Sequence, residues 1–172
     1  MGNLFGLRSS KRKSRKKSTA LSSFDASTRI GGAAPALESW PHFSGKPLPF
    51  FCQVNLGENK VAWVFLDDSV DGSWAVEDSA NAVIISGESA PEWVEMQPLG
   101  ERKAPVKAKE AIIPEKILEA PEWLQGDETP EGYHFVLQVS SHESGLNIGA
   151  GYGTVYIFIS DDEKQGRVLW QS

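Results

Sequence analysis

The sequence predicts a mainly β domain, a β roll with few short helices in which two pseudo-symmetric repeats share one domain. Three observations lead there. Runs of β-branched and aromatic residues recur between turns rich in Gly, Pro and Asp. Prolines at 41, 47, 49, 105 and 114 interrupt the stretches where a helix would otherwise fit. The pattern Phe-x-x-Gln-Val appears twice, in "FFCQVNLG" (50–57) and in "FVLQVSS" (135–141). With 172 residues, 40% of them hydrophobic and six of them Trp, the chain has apolar material for one core or for two small ones sharing a wall.

Taken in order, residues 29–49 form a Gly/Pro-punctuated approach to a first strand over about 48–54. A second strand, "KVAWVFLDD" (60–68), lies between a Gly57-Glu58-Asn59 turn and Asp71-Gly72, and "ANAVIISG" (80–87) is the third. The segment 100–120 is the one place where a helix is expected, cut short by Pro105 and Pro114. Beyond Trp123 and a polar turn over 126–132 come the strand "YHFVLQVSS" (133–141), the glycine-rich "GLNIGAGYG" (145–153) and the strands "TVYIFISDD" (154–162) and "RVLWQS" (167–172).

Charge divides the chain. Arg8, Lys11, Arg12, Lys13, Arg15, Lys16 and Lys17 precede residue 18 with no acid among them, and residues 18–172 hold the other ten basic and all 23 acidic side chains, a formal charge of −13. Residues 1–28 therefore read as a disordered basic tail. Residues 29–172 read as the duplicated β domain, with repeat 1 over about 29–99, a linker over about 100–119 and repeat 2 over about 120–172. The acidic body disfavours nucleic acid and favours a basic protein partner, whereas the tail suits an anionic membrane or nucleic acid. After removal of Met1 the chain starts at Gly2 like N-myristoylated proteins, with Gly6 where Ser or Thr is usual; Gly2 is thus a candidate lipidation site and the polybasic run its second membrane signal. Cys52 is the only cysteine, which excludes an internal disulfide and fits a reducing compartment. No apolar run is long enough to span a bilayer, so the expected location is cytoplasmic, peripheral at the membrane if the tail engages it.

The halves correspond beyond the glutamine pattern. Trp40 precedes Gln53 by 13 residues and Trp123 precedes Gln138 by 15; "WVFLDD" (63–68) matches "YIFISDD" (156–162); "APEW" occurs at 90–93 and 120–123. Two units, each too small to bury both faces of its sheet alone, combine most economically in one domain. The ordered segments "GGAAPALESWP", "GKPLPFFCQVNLG", "SWAVEDSANAVIIS", "PEWLQGDETP", "FVLQVSS" and "GYGTVYIFISDD" carry a resemblance to the YwqG-like family, proteins with a domain of unknown function and mostly bacterial. The resemblance implies a mainly β, internally duplicated roll and no established reaction. Some relatives are encoded near secreted toxins, from which the resemblance implies a toxin-neutralising role.

Candidate binding residues are Gln53, Gln138, Trp93 and Trp123. A strand-interior Gln must pair its amide, and two at equivalent positions either bond across the pseudo-twofold or to loop backbone, or else face a shared cleft and hold a ligand. Trp93 and Trp123 follow Pro-Glu in loop contexts and read as core or as interface anchors. His42, His134 and His142 lack the spacing of a metal site, so no metal and no cofactor are expected. Asp67/Asp68 and Asp161/Asp162 read as solvated turn acids, and "GAGYG" (149–153) lacks the Lys-Ser/Thr and following helix of a phosphate loop. The function expected is a non-enzymatic module that binds a protein through an acidic, aromatic-containing surface; the alternative is a peptide or small molecule held in a cleft between the repeats.

Overall fold

The computed structural model describes residues 27–58, 60–67, 80–86 and 110–172, together with the backbone of short strands at 93–94, 98–99 and 102–103. The strands are β1 (Arg29–Ile30), β2 (Ala34–Pro35), β3 (His42–Phe43), β4 (Lys46–Pro47), β5 (Phe50–Gly57), β6 (Lys60–Leu66), β7 (Asn81–Ile85), β8 (Trp93–Val94), β9 (Pro98–Leu99), β10 (Arg102–Lys103) and β11 (Tyr133–Ser140). A one-turn helix α1 (Ser141–Ser144) and a 3₁₀ turn at Gly149–Gly151 follow, then β12 (Thr154–Ser160) and β13 (Gly166–Gln171). The fold is mainly β, as predicted. Among the described residues no helix is long and apolar enough to cross a membrane.

Two antiparallel sheets form the body, one in the order β1-β5-β6-β7 and the other in the order β11-β12-β13. Strand alternation divides their side chains between faces. Cys52, Val54, Ala62, Val64 and Leu66 of the first sheet meet Leu137, Val139, Val155, Ile157, Ile159 and Val168 of the second in one buried cluster. On the outer face of the first sheet Phe50, Val61, Trp63 and Phe65 pack under Trp40 and Leu48 from the irregular N-terminal approach. On the outer face of the second, Tyr156, Phe158 and Leu169 pack under Trp123. The sheets meet along β7 and β13, where Gly166 lies against Val83.

The registers of the two sheets match position for position at the glutamine pattern. Phe50 pairs with Phe65 and Gln53 with Trp63, with a bulge between Phe50 and Cys52. Phe135 pairs with Phe158 and Gln138 with Tyr156, with a bulge between Phe135 and Leu137. Each bulge sends two consecutive residues inward and leaves both Phe and Gln on the outer face.

The helix expected within 100–120 is corrected where that segment is described. Arg102–Lys103 is strand, paired with Pro98–Leu99, and residues 110–120 contain no helix. Ile112 instead exchanges two backbone hydrogen bonds of 2.8 Å with Ile30, adding one residue to the edge of the first sheet. Pro114 disfavours a helical Ile113, and tertiary pairing outweighs the local preference of the Lys/Glu/Ala composition for helix. Gly32, at φ +76°, makes the pairing possible, because a Cβ there would stand 2.9 Å from Ala111 Cβ and 2.8 Å from Arg29 Nη1. The described helix α1 is capped by Ser140, whose side chain accepts from the His142 N–H.

Candidate functional site

Gln53 and Gln138 share a register position but not an environment. Gln53 is fully buried. Its Nε2 donates to the Ser27 carbonyl at 2.8 Å and its Oε1 accepts from Trp63 Nε1 at 3.2 Å. Gln138 is half-buried, and its Oε1 accepts from the Glu122 N–H at 2.8 Å. Both amides therefore hold loop backbone rather than each other. They lie on the outer faces of two different sheets and, of the alternatives raised above, make the bond to loop backbone.

Trp123 is the lid of the second sheet. Its ring centroid is 4.5 Å from Tyr156 and 5.9 Å from Phe158, the latter nearly parallel at 15°. The strap around it is fixed by side chains from below. Tyr156 Oη accepts from the Leu124 N–H at 3.0 Å and donates to the Glu122 carbonyl at 3.1 Å. Gln171 Oε1 accepts from the N–H groups of Leu124 and Gln125, and its Nε2 donates to the Gly126 carbonyl. Burial raises the Tyr156 hydroxyl above the ordinary tyrosine value. Trp123 is thus half-buried and packed on the outer face of the second sheet. Trp93 contributes backbone to β8, paired with Pro35; its side chain lies outside the described residues, as do Gly2 and the basic residues 8–17.

The feature that can hold a ligand is a groove of about 520 Å³ at the edge opposite the β7–β13 seam. Residues 112–118 form one wall, and Gln138, Val139, Ser140 and the first residues of α1 form the other. Ile30, Ile112 and Val139 make an apolar floor continuous with the central cluster. Glu115, Glu122 and Glu143 stand on the rim with Lys116 and His142, and among the described residues none of these five side chains has an ion-pair partner. A shallower groove of about 490 Å³ lies on the other side of Ile113 and Pro114, lined also by Ser27, Thr28 and Ile117. Ile113 and Ile117 between the grooves are 60% and 52% exposed.

One wall of the main groove is an open strand edge. The Ser141 N–H donates to the Gly153 carbonyl at 2.9 Å, which fixes the ladder phase between β11 and β12. Alternation then turns the N–H and C=O of Ser140 and Gln138 away from β12. The Ser140 carbonyl accepts from Ser144 Oγ at 2.6 Å. The Ser140 N–H and both backbone groups of Gln138 have no partner among the described residues.

Among the described residues no convergent catalytic set accompanies the groove. Burial pushes the Cys52 thiol far above its ordinary value, only partly opposed by the Arg29 charge, so it is no thiolate nucleophile. Asp162 caps the 160–165 turn, accepting from Ser160 Oγ and Lys164, which lowers its pKa. Among the described residues no three His, Cys, Asp or Glu side chains are grouped to hold a metal ion.

Sequence reasoning placed Gln138 at the site but missed the wall 112–118 and the rim residues Glu115 and Glu143. The available signal was "AIIPEKIL" (111–118), which sets four apolar aliphatics among charges in a segment with no helical face to bury them. No family model, curated protein or solved structure matches the chain.

Proposed function

We propose that this protein is a non-enzymatic binding module, of the duplicated YwqG-like type, that holds an extended basic segment of a protein partner in the groove between residues 112–118 and β11. The observation that carries the reading is the strand edge at the Gln138 backbone and the Ser140 N–H, without a partner among the described residues, beside an apolar floor and a rim of carboxylates that have no ion-pair partner among those residues. An extended peptide added to a strand edge gains main-chain hydrogen bonds and turns alternate side chains to one face. Apolar side chains then meet Ile30, Ile112 and Val139, and cations meet Glu115, Glu122 and Glu143. The formal charge of −13 on residues 18–172 supports a basic partner by long-range attraction. A basic toxin segment is one partner of this chemistry.

The test uses a fluorescein-labelled octapeptide alternating Lys and Leu, with its Glu/Leu counterpart as control, read by anisotropy against the full chain. The expected result is binding of the Lys/Leu peptide alone, weakened by added salt and by Glu122→Gln with Glu143→Gln. Equal binding of both peptides, or of neither, rejects the reading.

A further inference from the structure

We infer that the groove has an occupant within this chain: residues 4–17, which dock in the same groove and compete with the partner segment. The inference rests on the groove reading above and names the regulation of that site. Charge complementarity is the first support. Residues 8–17 carry seven cations and no anion, and Glu115, Glu122 and Glu143 on the rim have no ion-pair partner among the described residues. Apolar complementarity is the second. Leu4, Phe5 and Leu7 directly precede the cations, so one segment supplies side chains for both the floor and the rim.

The third support is where the described chain starts. Ser27 lines the shallow groove together with Ile113 and Pro114, and those two residues also line the main groove. The Ser27 carbonyl is held by Gln53 Nε2, so the residue to which the segment is joined is a fixed point beside the site. The nine residues 18–26 span up to about 30 Å when extended, ample for crossing the Ile113–Pro114 ridge. A segment tethered at that range reaches an effective concentration on the order of millimolar, which makes weak docking competitive. An external ligand must displace it, so its apparent affinity is the intrinsic affinity multiplied by the fraction of open grooves.

The experiment places a nitroxide on Ser9→Cys of the full chain. Cys52 is buried and its thiol held protonated, so labelling is confined to residue 9. The expected result is paramagnetic broadening concentrated at the amides of Gln138, Ser140 and Glu143, lost when Lys11, Arg12, Lys13, Arg15, Lys16 and Lys17 are all changed to Gln. The full chain with these six changes should also bind the Lys/Leu octapeptide about tenfold tighter than the native chain. Broadening that is absent or spread evenly over the body, with equal peptide affinity for both chains, overturns the inference and leaves the groove reading standing. Localised broadening with no peptide binding to either chain supports the cis contact and rejects the partner reading. Neither broadening nor peptide binding overturns both.

Discussion

Gly166 and Val83 are in contact where β13 meets β7: a Cβ built on Gly166 would stand 2.3 Å from Val83 Cγ1 and 2.6 Å from its Cβ. The close approach seals one edge of the two-sheet core and leaves the other edge as the groove. Gly166→Ala should therefore force the sheets apart at the seam and destabilise the fold by about 1–3 kcal/mol, the usual range for overpacking. Val83→Ala removes the methyl groups that the new Cβ meets. The double variant should accordingly lose less stability than the sum of the two single changes, measured by urea denaturation. Strict additivity would show that β7 and β13 do not touch there in solution.

The two glutamines should separate by phenotype. Gln53→Leu removes a fully buried amide that holds the Ser27 carbonyl and accepts from Trp63 Nε1, at an expected cost of about 1–3 kcal/mol. Gln138→Leu frees only the Glu122 N–H, in a half-buried setting where water replaces the lost acceptor, so its cost should stay below about 1 kcal/mol. Because Gln138 lines the groove, that variant should weaken Lys/Leu octapeptide binding while keeping near-native stability. Paired denaturation and anisotropy measurements decide the matter. Equal stability losses would show that Gln138 is no less structural than Gln53.

Lys60 and Glu163 join the first sheet to the β12–β13 turn through an Nζ–Oε2 contact of 2.6 Å. The Lys60 hydrogen bond and charge lower the Glu163 pKa. A carboxylate depressed on folding contributes stability above its unfolded pKa, and that contribution disappears as pH falls through the folded value. Glu163→Gln should thus be slightly less stable than the native chain at pH 7 and equal to it at pH 3. The pair is exposed, so the difference is small and should shrink in salt. A gap that persists at pH 3 would assign the effect to packing instead of charge.

How far the sequence could be read follows from where side-chain pattern alone decides structure. The long strands were legible because β5, β6, β11 and β12 carry β-branched and aromatic runs between strong turn signals. Phe50 and Phe135 each pair with a Phe beside a bulge, and Gln53 and Gln138 each pair with an aromatic residue beyond it. The direction in which the glutamines face was not legible. It depends on the bulges after Phe50 and Phe135, which shift the side-chain phase and which no local residue announces. The groove wall was misread for a related reason. Residues 110–120 have helix-forming composition, and only the distant edge at Ile30 makes Ile112 a strand partner. Gln138 was identifiable as an unusual residue, but two of the acids that surround it, Glu115 and Glu122, come from the preceding irregular segment and not from its own strand.

The strap over the second sheet provides the last prediction. Tyr156 is fully buried, and its hydroxyl ties down both Glu122 and Leu124. Tyr156→Phe keeps the ring under Trp123 and removes those two bonds. Gln171 Oε1 still accepts from the Leu124 N–H, so that donor is not orphaned and the cost should be about 1 kcal/mol. Gln171→Leu takes the acceptor from the Gln125 N–H and the donor from the Gly126 carbonyl as well, and should cost more. Both changes loosen the backbone that places Glu122 on the groove rim. Amide exchange at Leu124 and Gln125 should therefore accelerate in Tyr156→Phe and further in Gln171→Leu, with affinity for the Lys/Leu octapeptide falling in the same order. Faster exchange with unchanged affinity would mean that Glu122 contributes nothing to the rim, and the recognising charge would then lie with Glu115 and Glu143.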